Sequence, residues 1–198
     1  MSTRGVYGFR KDGVDKITYN HADSYPDGLG HDILGLCRDF SIEDLNKLYD
    51  LIEMVDEDST PTNKQIKICK ENGYAIFNVS NQSEIDWYCL LRRLQGNFEA
   101  LKMATEENKH IYMIDNHDFI KDSLFCEYGY IVNLDSEALE FWLGFQREPD
   151  ETNRYGTELD DGYYPCKFVL NIPLSSINTD SIAKWVKKMN ELAGEDDV

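Results

Sequence analysis

The sequence is short of positive charge and lacks paired cysteines, long apolar runs and internal repeats. Only 20 Lys and Arg stand against 37 Asp and Glu, a formal net charge of −17 at pH 7. Such a field repels phosphate backbones and anionic bilayers, which argues against direct nucleic-acid or membrane binding and for a basic protein partner. Acidity that serves only solubility is the competing reading. No C-x-x-C pair exists among Cys37, Cys69, Cys89, Cys126 and Cys166, so neither a zinc knuckle nor a dithiol redox motif is present, and the odd count opposes a disulfide framework. Cys37, Cys69 and Cys89 fall in helix patterns and Cys126 in a strand pattern, which predicts small buried hydrophobes in an intracellular protein. The N-terminus has no apolar stretch of signal-peptide type, and no run approaches the roughly 18 apolar residues of a membrane span. These absences predict a soluble cytoplasmic chain. With no linker or low-complexity tract, residues 1–198 read as a single domain, long enough to bury roughly 70% of its unfolded surface.

What is present is 41% hydrophobic and 12% aromatic, too apolar for a disordered chain. Residues 5–10 alternate small or polar with apolar side chains. Lys11-Asp12-Gly13 is a turn signal, and residues 14–19 alternate again, which predicts a β-hairpin with Val6 and Gly8 on one face and Tyr7 and Phe9 on the other. Leu29, Ile33, Leu36, Cys37 and Phe40 mark a helix over 28–39. Ser41, with Asp44 in the capping-box position, opens a second helix whose apolar stripe runs from Ile42 through Leu45, Leu48, Tyr49 and Ile52 to Val55. Thr60-Pro61 reads as the start of a short helix ended by Gly73. Residues 74–79 suit either strand or loop. Ser83 is the expected cap of a helix containing Ile85, Trp87, Tyr88, Cys89, Leu90, Leu91, Arg92 and Leu94, with Gly96 at its end, and 98–104 extend the helical region. Trp87 is expected in the core.

From His110 the period becomes extended. Residues 111–114 read as a strand, and 124–134 with 138–145 flank Asp135-Ser136-Glu137 as a second hairpin whose first strand is apolar on both faces and therefore lies inside the sheet. Residues 147–162 read as an acidic surface loop. Residues 168–172 form a further strand, and Thr179 or Asp180 caps a last helix burying Ile182, Trp185, Val186, Met189 and Leu192. The sum is an α+β fold: a mainly antiparallel sheet of about five strands packed by about five helices.

Functional residues concentrate in the corner after the first hairpin, where Asn, His, Asp, Ser, Tyr, Pro and two Gly crowd residues 20–30. Three chemistries are open to it. Removal of Met1 would leave Ser2 as an N-terminal nucleophile, with Arg4 binding an anion and Asn20 near the oxyanion of an amide substrate. His21, Asp23, His31 and Asp32 offer metal-compatible ligands, as do His110, Asp115 and His117, but the spacings match no recurring motif, and no metal or cofactor is predicted. A binding corner without chemistry would use Tyr19, Tyr25, Arg4 and Asp23, with Gly28 and Gly30 turning free N–H groups toward an anion. The same residues are also ordinary turn chemistry.

Thr3-Arg4-Gly5, followed by Tyr19-x-x-x-Asp23-x-Tyr25-Pro26-x-Gly28-x-Gly30, resembles a largely uncharacterised family of small phage, bacterial and fungal proteins that open with a Met-small-Thr-Arg-Gly pattern. The segment from Glu127-Tyr128 to Gly144, with Asn133-Leu134-Asp135 at its turn, is similar to the family's second recurring stretch. The resemblance implies Gly at the position of Ser2 in relatives, which weakens the nucleophile reading. It also implies a phage or prophage accessory protein that inhibits a host or defence enzyme. On this reading acidic segments at 50–58 and 148–161, with Glu158, Asp160 and Asp161 foremost, occupy a basic groove evolved for nucleic acid. The expected function is a non-enzymatic acidic interaction protein; the alternative is the Ser2 amide hydrolase.

Overall fold

A computed structural model describes residues 3–77 and 86–194 of the chain. The fold is α+β, with a five-stranded, mostly antiparallel sheet, a two-stranded sheet and seven α-helices among the described residues. The chain falls into two compact units, the first built from residues 1–45 and 116–198, the second from residues 46–115.

The first unit is organised on the larger sheet. Strands β1 (Gly5–Lys11) and β2 (Val14–Asn20) form the expected hairpin. Asp12 and Gly13 both take positive φ, 52° and 75°, which is the turn whose twist matches an antiparallel pair. β5 (Tyr128–Asn133) and β6 (Ala138–Leu143) form the second hairpin, and β7 (Lys167–Pro173) pairs antiparallel with β6. β5 lies between β1 and β6, parallel to β1, and every one of its residues is buried. That is what a strand apolar on both faces demands.

The pleat sends Val6, Ile17, Ile131 and Trp142 to one face, where they pack with Ile120, Cys126 and Cys166. Tyr7, Phe9, Tyr130 and Phe141 have the opposite parity, and Tyr130 stacks on Phe141 at 5.4 Å. Helices cover this second face. A single π-helical turn (Pro26–Gly30) leads into α1 (His31–Asp39), which packs against α6 (Leu174–Thr179) and α7 (Ile182–Ala193). Gly30 permits a close approach: a Cβ there would stand 2.9 Å from the Tyr130 ring and 3.2 Å from the Met189 methyl of α7.

The second unit holds a parallel pair, β3 (Ile52–Val55) and β4 (Ile111–Ile114), with α3 (Asn63–Glu71), α4 (Trp87–Leu90) and α5 (Phe98–Glu106). Trp87 is buried beside Tyr112 and donates its indole N–H to Ser59 Oγ at 3.0 Å.

Several boundaries differ from expectation, each for a physical reason. The capping box at Ser41 forms as read, with Asp44 accepting from the Ser41 N–H at 3.1 Å, but the helix it opens, α2 (Ile42–Leu51), stops four residues before Val55. Ile52 to Val55 instead pair with β4, because a ladder of backbone hydrogen bonds outweighs the helical stripe. α3 is capped by Thr62 rather than Thr60, since only Thr62 has Gln65 three residues on to complete the reciprocal box. Asp86 caps α4, and the Ser83 and Ile85 expected there lie outside the described residues. α5 carries its own cap, Asn97, so it is a separate helix rather than an extension. Ser181 caps α7 instead of Thr179 or Asp180, because α6 occupies the chain up to Thr179, and Leu192 is exposed. All five cysteines are free and buried, with Cys126 in the turn before β5 rather than in the strand. No helix among the described residues is long and apolar enough to cross a membrane.

Candidate functional site

The hairpin register sets Asn20 opposite Gly5, so the start of β1 and the end of β2 are neighbours. Ser2 lies outside the described residues. Asn20 spends both amide protons locally, on the Ala22 carbonyl at 2.5 Å and Ser24 Oγ at 2.8 Å, which closes the turn through Asp23 at φ 55°. Ser24 is fully buried, donates its N–H to the Thr3 carbonyl, and accepts from the Tyr130 hydroxyl at 3.0 Å. Arg4 lays its guanidinium over Phe125 at 4.5 Å, and its backbone N–H donates to Glu127 Oε1 at 3.2 Å. The Tyr19 hydroxyl meets His21 Nδ1 at 3.0 Å; burial raises its pKa, partly offset by the Arg4 charge.

The two glycines are structural. A Cβ on Gly28 would collide with the Asp23 carbonyl oxygen, and the N–H groups of Gly28 and Gly30 both donate to the Tyr25 carbonyl. The expectation that these N–H groups are free for an anion is thereby corrected: the π-turn consumes them. Tyr25 keeps an exposed ring beside Tyr128. His31 and Asp32 face each other on the surface at 3.5 Å, and no group of three or more metal-ligating side chains gathers among the described residues.

A second constellation sits at the end of the β6 to β7 connection. Asp160 and Tyr163 exchange backbone hydrogen bonds at 2.9 and 2.8 Å around Asp161 and Gly162, both at positive φ, making a small hairpin inside the acidic loop. Its tip exposes Glu158, Leu159, Asp160 and Asp161, with Leu159 59% exposed. Arg147 stacks on Tyr163 with its guanidinium 3.6 Å from the ring centroid and donates to the Gly162 carbonyl at 3.0 Å. Phe145, 53% exposed and at φ 57°, meets Tyr163 edge-on with ring centroids 6.3 Å apart. A bulky residue in that left-handed region costs roughly 1–2 kcal/mol. It is held there by its N–H bond to the Ser123 carbonyl at 2.7 Å. The chain thus sustains backbone strain while keeping an aromatic ring half in solvent.

The same loop is anchored in the sheet by a group that sequence reasoning missed. Glu140, in the middle of β6, is buried and accepts four hydrogen bonds: from Asn133 Nδ2 at 2.7 Å, Trp142 Nε1 at 3.1 Å, and Arg154 Nη1 and Nη2 at 2.9 and 2.6 Å. Arg154 also lies over Trp142 and stands 3.5 Å from Asp15, to which the Tyr155 hydroxyl donates at 3.2 Å. Burial disfavours the charged guanidinium, but the bonded Glu140 carboxylate, with Tyr155 and Asp15 nearby, outweighs it and raises the Arg154 pKa. Burial also raises Tyr155, against the opposing charge of Arg154. The signal in the sequence was a lone Glu inside Ala138-Leu139-Glu140-Phe141-Trp142-Leu143, which demanded a buried partner. Nothing local named Arg154.

Fold and sites define an α+β protein with an internally bonded N-terminal corner and an acidic, aromatic loop tip. Compared with known families, characterised proteins and solved structures, the chain has no match.

Proposed function

We propose that the chain is a non-enzymatic interaction protein whose loop tip docks onto a basic protein partner. The observation that carries this reading is Phe145, kept exposed in strained backbone against Tyr163, the residue whose backbone pairs with Asp160 in the small hairpin that exposes Glu158, Leu159 and Asp161. An aromatic anchor with a charged border is the usual composition of a binding hot spot, and functional surfaces are where proteins tolerate strain. The net charge of −17 selects partners of the opposite sign and accelerates encounter with them. A nucleic-acid-binding enzyme offers the matching surface, a groove lined by Lys and Arg that carboxylates fill in place of phosphates. The mechanism is occlusion, in the cytoplasm, as suits a phage or prophage accessory protein.

The test is capture from host lysate at low and high salt by the wild type, by Phe145→Ala, and by the triple reversal Glu158→Lys, Asp160→Lys and Asp161→Lys. The expected result is a basic nucleic-acid enzyme that high salt releases, that both variants fail to hold, and whose nucleic-acid binding the wild type blocks. A partner held equally by the reversed tip, or one that binds nucleic acid undisturbed, overturns the reading.

A further inference from the structure

Three Asp-Gly bonds occur in the chain: Asp12-Gly13, Asp27-Gly28 and Asp161-Gly162. This dipeptide rearranges without a catalyst, because the glycine nitrogen, unhindered by a neighbouring side chain, can attack the Asp Cγ and close a five-membered imide. In a folded protein the rate depends on how firmly that nitrogen is held and how readily its turn opens.

The first and last of these bonds are a matched pair. Both occupy the two central positions of a tight turn, at φ 52° and 75° for Asp12 and Gly13 and at 45° and 80° for Asp161 and Gly162. Lys11 pairs with Val14 around one turn and Asp160 with Tyr163 around the other, and all four turn residues are exposed. Backbone shape and solvent access therefore do not distinguish them; hydrogen bonding does. The Asp135 carboxylate takes the Asp12 N–H at 2.7 Å and the Gly13 N–H at 3.0 Å, so a charged acceptor holds the attacking nitrogen. Among the described residues nothing accepts from the Gly162 N–H, and Arg147 holds only the Gly162 carbonyl. Asp27-Gly28 is closed in another way, with the Gly28 N–H bonded to the Tyr25 carbonyl at 3.0 Å within the π-turn. The single Asn-Gly bond, which undergoes the amide version of this chemistry, is closed as well: Gly73 N–H donates to the Lys70 carbonyl at 3.2 Å and Asn72 Nδ2 to the His110 carbonyl at 3.4 Å.

We propose that Asp161 is a site of spontaneous backbone modification, passing to isoaspartate faster than Asp12 or Asp27. The Gly162 nitrogen bonds to Asp161 Cγ, and its proton leaves with the Cγ hydroxyl as water. Water then opens the imide. Addition at Cγ restores aspartate. Addition at the main-chain carbonyl carbon breaks its bond to Gly162, so the chain runs through Cγ, one methylene longer, beside a free α-carboxylate. No oxidant or cofactor enters. The longer main chain disrupts the two-residue turn at the acidic tip, and the new carboxylate is of the class that isoaspartyl carboxyl methyltransferases accept. The inference stands whether or not the tip docks a partner.

The experiment is incubation of the full chain for weeks at physiological temperature, folded and in denaturant, with peptide mapping that separates aspartyl from isoaspartyl forms at each Asp-Gly bond. The denatured chain supplies the intrinsic rate of each bond. Relative to those rates, Asp161 in the folded chain is expected to isomerise at least about tenfold faster than Asp12 and Asp27, the factor that holding the nitrogen in a hydrogen bond supplies. Asp135→Ala frees Gly13 and is expected to raise the Asp12 rate by about tenfold, with Asp27 unchanged as the control for an intact fold. Equal relative rates at the three bonds, or Asp161 as protected by folding as the other two, overturns the proposal. An Asp12 rate unmoved by Asp135→Ala overturns the hydrogen bond as the cause.

Discussion

Arg154 meets Glu140 through two parallel hydrogen bonds, Nη1 to Oε1 at 2.9 Å and Nη2 to Oε2 at 2.6 Å, and so ties the middle of the acidic loop to the centre of β6. Glu140 is only 7% exposed at its side chain. Removing one partner of such a pair leaves an uncompensated buried charge, at a cost of about 3–5 kcal/mol. Arg154→Ala is therefore expected to lower the unfolding free energy measured in urea by that order. Glu140→Gln in the same background is expected to recover at least half, because a neutral amide can still accept from Asn133 or Trp142. A double variant no more stable than Arg154→Ala would show that the charge is not the cause.

Phe145→Gly separates strain from recognition. Glycine adopts φ 57° without penalty, so unfolding stability is expected to hold or rise by up to about 1 kcal/mol, while the exposed ring beside Tyr163 is lost. Chemical denaturation and partner binding on the same sample check this. Lost stability with intact binding would make Phe145 a packing residue.

The glycines of the first helical segment are expected to respond oppositely to alanine. Gly30→Ala forces a methyl against Tyr130, whose hydroxyl is held by Ser24, and overpacking of this kind costs about 1–3 kcal/mol. Gly35 sits in the interior of α1 with nothing within 4 Å of its Cβ position, so Gly35→Ala is expected to stabilise by about 0.5–1 kcal/mol. Thermal unfolding of the pair reads both signs.

Alkaline pH is expected to destabilise the chain through Cys37. Complete burial pushes its thiol from the ordinary 9.0 up to about 12, so the folded state holds a proton that the unfolded state releases. The folded state's advantage is whole below pH 9.0 and is lost as pH rises from there through about 12. The slope approaches about 1.4 kcal/mol per pH unit for the one thiol. Cys37→Ala is expected to flatten that part of the stability profile, and an unchanged slope would assign the loss to other groups.

Legibility followed the range of the interaction. The two hairpins, the buried course of β5, the Ser41 and Asp44 box and the burial of Trp87 were all readable, because each rests on residues within a few positions of one another. The strand at 52–55 was hidden inside a helical stripe, since its partner β4 lies near residue 111. At the corner, Asn20, Asp23, Ser24, Gly28 and Gly30 were conspicuous as unusual residues, yet composition does not tell whether their donors turn outward to a ligand or inward to the chain. The structure turns those of Asn20, Gly28 and Gly30 inward.

Periodicity, turn chemistry and charge balance by themselves determined an acidic α+β chain, its five-stranded sheet and the burial of its cysteines, because hydrophobic alternation and positive-φ turns act locally. Tertiary structure alone decided that Glu140 finds Arg154, that Phe145 stands in solvent on strained backbone, and that Asp135 holds the Gly13 N–H. Each of those outcomes depends on desolvation and on hydrogen-bond partners far apart along the chain, and neither quantity is written in a residue's neighbours.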